Sequence, residues 1–282
     1  MDLVTRHRRG LLFARTLCGL VALAAGLVGI LMLIAPASTG RYFSWALGPA
    51  PLAALVGGCY VASAIVFGWA AAREQWAGLR GLCVAVFGLT LPTLAATARH
   101  HDVFDFSRWQ AGAWILLFVA SPVLFGLTLY LRRGPVAARG PRLRPWARAV
   151  LIVVATGYAA LAVALWTWPT TVGRHGPFAV AGLGARFAGS WAAFLAIAAG
   201  YAAVRARWEE ARVPVLALAV WPACVLGAAV LRLDDLRTGA ARPAYLAGLA
   251  VLAATAGIVL VAGRAKQPVA RPALDGSLAL PA

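Results

Sequence analysis

Two groups of residues in this chain have types and spacings that chemistry uses. The first is Arg73, Trp76 and Arg80, which returns as Arg205, Trp208 and Arg212, each displaced by 132 positions. A guanidinium offers a planar fork of donors to a carboxylate or phosphate, and an indole stacks or anchors at a polar boundary. If a helix runs through each motif, spacings of three, four and seven put the three side chains on one face. The chemistry implied is a clamp for an anion such as a lipid headgroup. The plainer expectation is that arginine and tryptophan gather here as they do at any cytoplasmic membrane edge. Glu209 and Glu210 also oppose the arginines in the second copy.

The second group is His100, His101, Asp102 and Asp105, with His175, Asp234 and Asp235 further on. Histidine with aspartate is a set that divalent metals accept, and His101 with Asp105 has the i, i+4 spacing of paired helix ligands. The second copy breaks the pattern, carrying Arg232 and Leu233 where the first has His100 and His101. Pairing of these carboxylates with Arg99, Arg108, Arg232 and Arg237 in short loops is the simpler reading. No metal or other cofactor is expected, and no catalytic residue is assigned. Alternating with Asp102, Asp105 and Arg108, the residues Val103, Phe104, Phe106 and Trp109 read as a short amphipathic segment lying in the outer interface.

Just as informative is what the apolar stretches lack. No Asp, Glu, Lys, Arg or His falls near the middle of any of them. Proton relays, ion-coupled pumps and voltage sensors need such groups. Intramembrane haem ligation needs His or Met, and bilayer-embedded serine proteolysis needs a Ser–His pair. Ser63, Ser121, Ser190, Tyr60, Tyr158, Tyr201, Thr90 and Thr93 remain as candidates to line a polar cavity, although such hydroxyls more often bond to their own helix. The four cysteines, Cys18, Cys59, Cys83 and Cys224, all fall in apolar runs without metal-ligand spacing and read as small packing residues.

The elements that must position these residues are membrane helices. The 282 residues are 62% hydrophobic and 12% charged, against about 45–50% and about 25% in soluble globular chains. Eight runs are long enough to cross a hydrocarbon core of ~30 Å at ~1.5 Å per residue: Leu17–Ala35, Pro51–Ala72, Leu79–Ala98, Ala111–Leu131, Ala149–Trp168, Phe187–Val204, Val213–Leu231 and Pro243–Val261. No strand-like alternation competes with them, so the expected class is an all-α integral membrane protein. The first run is read as an uncleaved helix rather than a signal peptide, because its counterpart lies in mid-chain. Pro92, Pro122 and Pro222 mark candidate kinks in spans three, four and seven.

The net charge of +17 is basic enough to suggest nucleic acid. Its placement excludes that reading, because the charge lies between the apolar runs. Eighteen Lys and Arg fall on one side of the expected bilayer and eight on the other. The richer side is the cytoplasm, which puts both termini inside. Four spans return the chain to its starting side, so the two copies share one orientation, a parallel repeat. The expected organisation is a first four-helix repeat over 1–131, a basic Pro/Gly linker over 132–146, a second repeat over 147–263 and a disordered tail over 264–282. Gly57, Gly68, Gly189 and Gly200 match across the copies and are expected to let helices approach closely.

A four-span unit with Arg-x-x-Trp-x-x-x-Arg after its second helix and an Arg/Asp segment after its third resembles tandem-repeat multi-pass membrane proteins of high-GC bacteria. That group has no established activity, so the resemblance implies a topology and no catalytic residues. The expected function is that of a non-enzymatic polytopic protein of the bacterial plasma membrane, structural or accessory, binding a lipid or protein partner. Its partners would be the bilayer, an anionic lipid or another membrane protein. The alternatives are a transporter or flippase of a neutral or amphipathic molecule, and a membrane enzyme acting on a lipid-linked substrate at its outer face.

Overall fold

A computed structural model describes residues 3–73, 75–133, 140–180 and 182–264. The tail beyond 264, the linker centre 134–139 and the side chains of Arg6, Arg8 and Arg9 lie outside the described residues. Ten α-helices follow in order: α1 Leu3–Ile34, α2 Thr39–Tyr42, α3 Ala50–Arg73, α4 Trp76–Arg99, α5 Trp109–Leu131, α6 Pro145–Thr167, α7 Pro169–His175, α8 Gly182–Arg205, α9 Trp208–Leu231 and α10 Ala241–Arg264. Eight of them are long and apolar enough to cross a membrane, and they correspond one for one with the eight runs in the sequence. Only α2 and α7 are short, each folded into a loop at the end of the bundle away from the linker.

The helices sort into four central and four peripheral. α3 is 72% buried across its most apolar stretch, whereas α10 is 11% buried and presents nearly its whole circumference outward. Around the centre, α3 packs on α9, α4 on α8 and α9, and α8 on α9. Outside them α1 lies on α3, α5 on α4, α6 on α8 and α10 on α9. The main central contacts therefore join helices from opposite halves of the chain. Lipid tails are as apolar as leucine side chains, so such contacts depend on close packing rather than on removal from water. At Gly88 of α4 a Cβ would stand 2.9 Å from the Ala193 carbonyl oxygen of α8. Of the matched glycines, Gly57 and Gly189 sit in comparably tight places, while Gly68 and Gly200 have room for a methyl group.

Most hydroxyls inside the spans bond to their own helices, whereas the buried Thr93 Oγ1 has no partner among the described residues. Ser63, Thr90, Thr97, Ser121, Thr128 and Ser190 each donate to the carbonyl four residues earlier. All four cysteines are free. No strand occurs among the described residues. One isolated antiparallel bridge pairs Arg142, beyond the linker centre, with Arg207 between α8 and α9.

Candidate functional site

At the linker end the motif residues separate. Each motif is broken by a turn instead of riding one helix: α3 stops at Arg73 and α4 begins at Trp76, with Gln75 extended between them. In the second copy Ala206 takes a left-handed φ of 49° and Arg207 is extended before α9 starts at Trp208. Both tryptophans are buried. Trp76 lies under the Arg132 guanidinium, 5.2 Å from its ring. Trp208 packs so tightly on Gly263 that a Cβ there would overlap the ring. Arg73 is exposed, and Arg80 and Arg212 are half-buried. Arg205 forms a two-point ion pair with Glu210, its Nη2 donating to Oε1 at 2.9 Å and its Nε to Oε2. Glu210 is 1% exposed and also accepts from the Tyr201 hydroxyl at 3.4 Å.

At the far end the acidic and histidine residues do not converge. Asp102, Asp234, Asp235, His101 and His175 are exposed, and His175 Nδ1 stands 2.9 Å from the Thr171 carbonyl. Asp105 accepts from the amide and hydroxyl of Ser107, which hold its carboxyl below the usual range. His100 accepts a 2.8 Å hydrogen bond at Nε2 from Arg186 of α8, because a guanidinium has nothing but donors. Burial first, and the Arg186 charge second, lower the imidazole from the usual histidine range. Arg232, standing where the first copy has His100, donates to the Leu33 carbonyl. Both links join the two halves. Among the described residues no three His, Cys, Asp or Glu side chains group as a metal site would require.

The feature that the sequence did not reveal is a cavity of about 250 Å³ between α3 and the last four spans, near the far end. Its wall takes Leu55 and Cys59 from α3, Tyr158 from α6, Trp191 from α8, Trp221 from α9 and Tyr245 from α10. Residues Val172–Val180, which include Phe178, close its far side. The lining is almost wholly apolar. The indole N–H groups of Trp191 and Trp221 are buried without an acceptor among the described residues. Of the eight hydroxyl residues singled out in the sequence, only Tyr158 reaches it.

In the first four spans the comparable space is filled from within. Residues 35–49 are held by Leu47 N–H donating to Thr39 Oγ1 at 2.9 Å and by the Tyr42 hydroxyl on the Ala35 carbonyl. That arrangement sends Phe43 and Trp45 inward. Trp45 meets Trp114 at 4.8 Å and Phe104 at 5.3 Å between ring centroids, and Trp114 meets Phe118 at 4.2 Å. The Trp114 indole is satisfied by Thr97 Oγ1 at 3.0 Å. Phe104, from the amphipathic outer segment, thus packs inward while Phe106 and Trp109 stay exposed.

No family model, curated protein or solved structure matches the chain. What this protein binds or does is therefore argued from the cavity and its surroundings alone.

Proposed function

We propose that this polytopic protein consists of two parallel four-helix repeats in a bacterial plasma membrane, and that it holds the apolar chain of a lipid-like molecule. Its role on this reading is structural or accessory. The observation that carries it is the 250 Å³ cavity, already larger than the ~150 Å³ that accepts benzene in a protein core. Such a space, walled by apolar side chains and bordered by a few hydroxyls, suits an alkyl or isoprenoid segment. α6 and α10 flank the cavity without packing on each other as closely as α1 packs on α5, which leaves a lateral way in from the bilayer. The weakly buried face of α10 would meet lipid or a membrane-protein partner.

Several observations support the repeat. Helix bounds recur at the motif's displacement, Ala50–Arg73 with Gly182–Arg205 and Trp76–Arg99 with Trp208–Leu231. The short 3₁₀ turns His101–Val103 and Leu233–Asp235 keep the same spacing. Charge placement puts the linker end, and both termini, in the cytoplasm. The cavity wall draws on the far-end turns of its helices and does not extend to the linker end, and the junction between halves is closed by contacts such as Gly88 on Ala193. That closure favours holding a ligand over transporting one. The scattered outer carboxylates likewise favour a binder over an enzyme.

Reconstitution in liposomes doped with a phospholipid carrying a diazirine in its acyl chain tests the proposal. Photolabelling should reach cavity residues such as Tyr158 and Tyr245. Ala188→Phe, which narrows the cavity from α8, should reduce that labelling by about tenfold, the order expected for a lost apolar site. Labelling confined to outward-facing residues, or unchanged in Ala188→Phe, would overturn it.

A further inference from the structure

The linker end carries a second feature, independent of the cavity. A groove of about 690 Å³ runs between the start of α6 and the end of α8, lined by Arg142, Arg148, Arg205 and Arg207 over an apolar floor that includes Ile152 and Val204. Backbone pairing fixes part of this arrangement. Leu143 N–H donates to the Ala206 carbonyl at 2.8 Å, and Trp208 N–H to the Pro141 carbonyl at 3.0 Å. This clasp sets Arg142 directly opposite Arg207. The bridge thus brings two arginines to one edge of the groove.

Glu210 is engaged by Arg205, and Glu209 lies against Gly140. Arg142 and Arg148 have no side-chain hydrogen bond or ion pair among the described residues. The other half of the molecule makes the contrast. There Arg15 of α1, the counterpart of Arg148 under the repeat reading, donates from Nη2 to the Ala72 carbonyl at 2.8 Å and from Nε to Ala71, closing the end of α3. Arg148 makes no such bond to the end of α8, and the groove stays open.

We propose that this groove binds a phosphate group, and specifically the headgroup of an anionic phospholipid. Guanidinium forks match phosphate oxygens in pairs. The floor beneath them lies at the ends of membrane helices, where the first carbons of an acyl chain run. A soluble phosphate would use the guanidiniums and leave that floor unoccupied.

The test uses the full chain purified in detergent, titrated by native mass spectrometry with dioleoylphosphatidylglycerol, dioleoylphosphatidylcholine and inorganic phosphate. Phosphatidylglycerol should bind about tenfold more tightly than phosphatidylcholine, as charge-assisted bonds to two or three guanidiniums imply. Arg142→Gln/Arg148→Gln should abolish that preference, while Arg73→Gln, at an exposed arginine outside the groove, should keep it. Should the double variant fold poorly, Arg148→Gln alone is read, since that side chain stands exposed on α6. Arg205 is left intact because its removal would strand buried Glu210. Displacement of phosphatidylglycerol by millimolar inorganic phosphate would extend the ligand to soluble phosphates, and no displacement would assign the site to lipid. Equal binding of the two lipids, or a preference that survives loss of both arginines, would overturn the proposal.

Discussion

Residues that share a motif in this sequence have different work in the fold. Trp76 and Trp208 are packing residues, one roofed by Arg132 and the other seated on Gly263. Arg205 neutralises Glu210, whereas Arg73 is exposed and Arg80 and Arg212 are half-buried. The turn after Arg73 and after Arg205 explains this, because it rotates the tryptophan away from the face that carries the first arginine. His100 is a residue whose charge state bears on the join between halves. As a neutral acceptor from Arg186, it keeps a proton affinity below that of an exposed histidine. The sign follows from linkage: an unfolded chain takes up the proton from about pH 6.5 downward, and the folded chain resists it. Stability should therefore fall as the pH drops below about 6.5, modestly because the ring is partly exposed. Thermal unfolding between about pH 5.5 and pH 7.5, one unit either side of the usual histidine value, should show a smaller acid-side loss in His100→Gln than in the parent. Equal slopes would mean that the Arg186 bond does not couple to protonation.

At the scale of elements, close packing at small residues joins the central helices to one another, and it also seats α1 on α3 at Gly57 and α6 on α8 at Gly189. Gly88 shows this between central helices. A methyl group there would meet the Ala193 carbonyl oxygen at 2.9 Å and the Ile197 side chain at 2.6 Å. The isoleucine can turn aside, but the carbonyl cannot. Gly88→Ala should destabilise the protein by about 1–3 kcal/mol, the usual cost of overpacking a close contact. Gly248→Ala on α10, with open space around the added carbon, should be neutral or slightly stabilising through helix propensity. Unfolding of both variants in mixed micelles gives the comparison. Loops at the far end differ between the two halves. Residues 35–49 deliver Phe43 and Trp45 into the first half, whereas 172–180 bring Phe178 only to the edge of the space in the second.

For the molecule as a whole, topology is the property with the most consequence, because the proposed orientation would put the cavity in the outer leaflet and the arginine groove in the inner one. The parallel arrangement requires both motif turns on one side and both aspartate turns on the other. Arg73→Cys and Arg207→Cys should be labelled by an impermeant thiol reagent from the same side. Asp102→Cys and Asp234→Cys should be labelled from the opposite side. Labelling of 73 and 207 from different sides would remove the parallel repeat and, with it, the Arg15–Arg148 comparison.

The number and length of the spans were legible in the sequence because a bilayer permits few solutions: uncharged runs of about twenty residues must be helices. The eight runs and the eight helices agree for that reason. Absence of charge from their centres was equally direct, since it depends on residue type and not on position in space. The motif was legible as a repeat of spacing, but its chemistry was not. Whether residues 73, 76 and 80 share a face depends on where one helix ends, which is decided by two residues of backbone conformation. The cavity left no mark in the sequence at all. It exists because the far-end turns of α6, α8, α9 and α10, with α3 from the other half, surround a space that no side chain of 172–180 fills. The groove likewise depends on a bridge that joins Arg142 to Arg207 across 65 positions of chain. Composition and hydropathy determined the class of this protein. Where its helices fail to meet, which only tertiary packing decides, determined where a ligand has room.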